Sequence, residues 1–72
     1  MDGEITMETL GDMLPKEMSR VRTVLGYYKE MGAPGMFGAT MIERSLRMAD
    51  EAVIEGDIVA MMQAYEDLKT IE

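Results

Sequence analysis

The stretch Ala49-Asp50-Glu51-Ala52-Val53-Ile54-Glu55-Gly56-Asp57-Ile58-Val59-Ala60-Met61-Met62-Gln63-Ala64-Tyr65 decides the fold. Apolar residues on both sides of Gly56-Asp57 recur at steps of three and four, the spacing of a helical face. Gly56 suits the left-handed position that closes a helix, and Asp57 is a strong N-cap for the next one. Two helices joined by so short a link must fold back as an antiparallel hairpin. Ala49 and Ala52, near the turn, allow close approach of the two helices.

Upstream, the stripe continues through Ala39, Ile42, Leu46, Ala49 and Val53, which predicts a helix over 36–55. Glu43, Arg47 and Glu51 are spaced four apart and add a few tenths of a kcal/mol per pair. Downstream, Ile58, Met61, Tyr65 and Leu68 predict a helix over 57–71. The sharpest break is Gly32-Ala33-Pro34-Gly35. Before it, Leu14, Met18, Val21, Leu25 and Tyr28 form one helical face. Pro15 suits the first position of that helix, Glu17 sits near its positive end, and Gly32 is its expected left-handed cap, so the helix spans 15–31. A shorter helical turn is expected over 6–12, capped by Thr6, stapled by Ile5 and Leu10 and interrupted by Gly11. Ile5 and Met7 also alternate as a short strand would.

One apolar stripe per helix is what a three-helix bundle needs. The expectation is a single all-α domain over 1–72, a small antiparallel three-helix bundle with the extra N-terminal turn packed across it.

With 72 residues, such a domain buries only about 60% of its unfolded surface. Small domains recover stability through disulfides, metals or self-association. The chain has neither Cys nor His, which excludes disulfides and any zinc site of thiolates or imidazoles. Good packing or oligomerisation remains. No apolar run is long enough to span a membrane, and Met1-Asp2-Gly3-Glu4 lacks the basic start and apolar run of a secretory signal. A cytoplasmic location with no membrane partner is expected. The net charge of −7 opposes direct binding to nucleic acid. Lys16, Arg20, Arg22 and Lys29 make residues 15–35 locally positive, but too sparsely to reverse that.

Catalysis finds little support. Ser19 and Ser45 have no His or Cys to work with, and the carboxylates and tyrosines form no pair set apart from ordinary solvated surface. Glu55-Gly56-Asp57 supplies too few ligands for a calcium loop and reads as a C-cap followed by an N-cap. No enzyme activity, metal or cofactor is expected.

Two patterns point instead to binding. The first is an excess of apolar residues beyond one small core: Val24, Tyr27, Met31, Met36, Phe37, Met41, Met48 and Met62 all fall off the main stripes. Ten of the residues are Met, whose flexible thioether is expected chiefly to fill the core, an adaptable binding surface being the alternative. Apolar rows of this size mark an interface, which predicts a homo-oligomer, a dimer first, acting as a protein-interaction module. The second is the glycine run Gly32, Gly35 and Gly38 at the entry to the second helix. Gly35 and Gly38, with Arg20, form a candidate site for a small anion such as a nucleotide. No strand precedes the run and no P-loop lysine follows it. Gly38 costs roughly 1 kcal/mol relative to Ala inside a helix, so something must approach the backbone there. A third alternative is an acidic nucleic-acid mimic, which the scattered cations oppose.

Leu14-Pro15-Lys16-Glu17, Arg20-Val21-Arg22, Gly35-Met36-Phe37-Gly38-Ala39, Gly56-Asp57 and Ala64-Tyr65-Glu66-Asp67-Leu68-Lys69 together resemble small uncharacterised helical proteins of bacteriophages and prophages. The resemblance covers most of 14–72. It implies a bacterial or phage cytoplasmic protein and brings no activity or site residues with it. The hairpin 49–65 is also similar in style to a single tetratricopeptide-type unit, though one hairpin is no array.

Overall fold

The computed structural model describes residues 7–72. Its elements are α1 (Met7–Glu30), a 3-10 turn (Ala33–Gly35), α2 (Met36–Glu55) and α3 (Ile58–Lys69), with no strand among the described residues. Each helix packs against the other two, so the protein is a small all-α three-helix bundle.

The α2–α3 corner is built as the sequence demands. Gly56 takes φ 69° and ψ 24°, the left-handed cap. Its amide donates to the Val53 carbonyl at 3.1 Å, and the Asp57 amide reaches back to Ala52 at 3.3 Å. These bonds satisfy carbonyls that the end of α2 would otherwise leave unpaired. The Asp57 carboxylate then accepts from the Val59 and Ala60 amides at 3.1 and 3.2 Å. One residue closes α2 and the next opens α3.

The other corner is built differently. Gly32 has φ 73° but ψ −142°, which lies outside the left-handed helical region yet is open to glycine. The chain then makes the 3-10 turn, and the Gly35 amide donates to the Gly32 carbonyl at 3.0 Å.

The N-terminal segment differs from the expectation. The expected turn over 6–12 and helix from Pro15 are one continuous helix, with Pro15 inside it. The expected roles of Ile5 and Thr6 lie outside the described residues. Leu10 and Leu14 are both fully buried, on the same face as Met18 and Val21. A break between them would turn part of that row away from the core. An interior proline costs about 3 kcal/mol, because it removes one helical bond and crowds the carbonyl four residues back. Burying two leucines returns about 1.5–3 kcal/mol each, enough to carry the helix through. The crowded carbonyl belongs to Gly11, an exposed residue with open space around it, so the local backbone can give and water can reach it.

The core is Leu10, Leu14, Met18 and Val21 from α1, Ile42, Ala49 and Ala52 from α2, and Met61 and Leu68 from α3. The helical faces differ from the expected stripes at three points. Ala52 rather than Val53 completes the α2 face, and Val53 is exposed. Val24 is half-buried against the core rather than free for a partner. Met18 and Met61 are buried, but Met31, Met36, Met41, Met48 and Met62 are all exposed, so methionine is not chiefly core filler here.

The helices differ in length, at 24, 20 and 12 residues. At 1.5 Å per residue they span about 36, 30 and 18 Å. α3 starts at the α2–α3 corner and ends beside the middle of α1, where the Arg20 guanidinium donates to the Leu68 carbonyl at 2.9 Å. Beyond that point only the tail Thr70–Glu72 covers the bundle, and the Tyr28 hydroxyl donates to the Glu72 carbonyl at 3.2 Å. The end where α1 passes to α2 therefore has two helical layers and no third.

Candidate interaction surface

Two exposed apolar regions stand out, and six of the eight residues singled out from the sequence, all but Val24 and Met62, divide between them. The first is the two-helix end. Tyr27 lies in the last turn of α1, Met31 directly follows that helix, and Met36 and Phe37 open α2; Phe37 is 79% exposed. These residues are left uncovered because α3 is too short to reach them. Lys29 and Glu43 bridge α1 and α2 on this end with a 3.0 Å ion pair.

The second is a groove of about 310 Å³ between α2 and α3. Met41, Arg44, Ser45 and Met48 form its α2 wall, and Ala60, Gln63, Ala64 and Asp67 its α3 wall. Met41 and Met48 are seven residues apart and Phe37 is one turn before Met41, so the three share one face of α2. Ala60 and Ala64 are one turn apart on α3, and their short side chains make the hollow. Met62 is exposed on α3 but does not line the groove. Val24 packs against the core and belongs to neither region. The α3 wall and the charges Arg44 and Asp67 were missed from the sequence. The signal available was the Ala60–Ala64 spacing, which falls off the main stripe of α3.

The groove carries one charge of each sign. Arg44 lies on one wall and Asp67 on the other, and neither side chain has an ion-pair or hydrogen-bond partner among the described residues.

The three residues of the anion site do not come together. A Cβ on Gly35 would collide with the Tyr28 carbonyl oxygen, and a Cβ on Gly38 would lie 2.6 Å from the Tyr28 ring. Both glycines are therefore filled against α1, and their role is close packing. Arg20 is eight residues from Tyr28 along α1, about 12 Å away. Its side chain is held by Glu17 at 2.6 Å and by the Leu68 carbonyl. The amides of Gly35 and Met36, which an anion would use, already donate to Gly32 and Ala33.

Among the described residues no group of three or more acidic side chains could hold a metal, and no helix is long and apolar enough to cross a membrane. No family model, curated protein or solved structure matches the chain.

Proposed function

We propose that this chain is a non-enzymatic protein-interaction module that associates with itself, a dimer being the smallest assembly, and that it works in a bacterial cytoplasm. One observation carries the reading. Seven of the eight off-stripe apolar residues, all but Val24, are exposed by 40% or more. Scattered single apolar residues on a surface need no explanation. Here six of the seven, all but Met62, gather at the two-helix end and in the α2–α3 groove, and contiguous apolar surface of that kind is a feature of interfaces. Methionine adds adaptability, since its unbranched thioether repacks against varied partners.

The test is mass in solution. Tyr27→Asp probes the two-helix end and Met41→Asp probes the groove; both side chains are exposed, so the monomer fold is expected to survive and circular dichroism will report it. At least one variant should dissociate the wild-type assembly. Two variants that keep the wild-type mass would show that neither region holds copies together.

A further inference from the structure

We infer that the dimer forms through the α2–α3 groove, with a second copy of this chain as the occupant, in a two-fold arrangement that pairs Arg44 of each copy with Asp67 of the other. The inference rests on the self-association reading and adds to it the face, the symmetry and the residues that set the register.

In a two-fold interface the same patch meets itself, so each feature on one wall needs its counterpart on the other. The groove meets that condition in charge: one cation on α2, one anion on α3, both unpaired within the chain. It meets it in shape as well, with large Met41 and Met48 on the α2 wall and small Ala60 and Ala64 on the α3 wall. A methionine from one copy can enter the hollow that the alanines leave in the other.

The charges also choose the axis. A two-fold running along the helices lays α2 of one copy over α3 of the other and sets Arg44 against Asp67 twice. A two-fold running across the helices lays α2 on α2 and sets like charges near one another, which opposes binding. With the first axis, every neighbouring pair among the four helices is antiparallel. The product is a four-helix arrangement of a common and stable kind. The two-helix end stays outside it and remains free.

Sedimentation equilibrium across a concentration series tests this. Arg44→Glu and Asp67→Arg, each alone, place like charges in contact twice per dimer. Each should weaken the dimer by about tenfold or more. The double variant Arg44→Glu with Asp67→Arg restores opposite charges and should recover most of the wild-type affinity. Both positions are exposed, so circular dichroism should be unchanged in all three variants. A dimer that tolerates both single changes would overturn the groove as the interface while leaving self-association standing. Single variants that dissociate without rescue in the double would overturn the Arg44–Asp67 pairing. A wild-type chain that stays monomeric throughout would overturn this inference and the reading beneath it.

Discussion

Tyr28 and the glycines facing it show how single residues set this bundle. Its ring lies over Gly38 and its carbonyl over Gly35, so α1 and α2 approach more closely than any side chain at those positions would allow. Glycine inside a helix costs about 1 kcal/mol relative to alanine, and the close contact with Tyr28 offsets it. A double-mutant cycle separates the two effects. In the wild-type background Gly38→Ala should destabilise the fold by about 1–2 kcal/mol, because the new methyl displaces the ring. In a Tyr28→Ala background the same change should stabilise by about 1 kcal/mol, since helix propensity then acts alone. Urea denaturation would show that reversal of sign, and the same sign in both backgrounds would contradict the packing described. From the sequence it was legible that Gly38 needs a close neighbour, but not which one. Tyr28 precedes Gly38 by ten residues, across a corner whose geometry no local rule supplies. Arg20 was misplaced for the same reason, because its carbonyl partner on Leu68 is 48 residues away.

At the scale of elements, the two corners and the three apolar stripes were legible, because capping chemistry and helical period are local. The start of α1 was not. Pro15 carries a strong local signal for a first helical position, and Gly11 a strong signal for a break. Both are overridden by Leu10 and Leu14, whose burial is a tertiary effect. The two descriptions make opposite predictions for Pro15→Ala. Inside a continuous helix the change restores the amide bond to Gly11 and removes the ring clash, so the protein should gain about 1–3 kcal/mol. At a helix start the missing amide would cost nothing, and the change would be neutral or unfavourable. Thermal unfolding of this single variant decides between them. The exchange of Val53 for Ala52 on α2 has a similar origin: both fit a helical period, and only the close approach of α3 near the Gly56 corner selects the smaller residue.

For the whole molecule, the unequal helix lengths matter most. A 12-residue α3 cannot cover a 24-residue α1, so one end of the bundle keeps its apolar side chains in the open. The groove between α2 and α3 adds a second uncovered region. The methionine content announced this excess in the sequence, but composition cannot say which methionines are inside. Periodicity identified Met18 and Met61 as core and placed Met31, Met36, Met41, Met48 and Met62 off it, as found. What it missed was the second wall of the groove, because Ala60 and Ala64 are too small to register as a stripe.

Self-association is the central claim, and the solution mass of the unmodified chain tests it most directly. Native mass spectrometry and sedimentation equilibrium from micromolar to millimolar chain should show an assembly of at least twice the 8.1 kDa chain mass, dissociating on dilution. A mass of 8.1 kDa at every concentration would contradict the account, leaving Met41 and Met48 without a second copy to cover them.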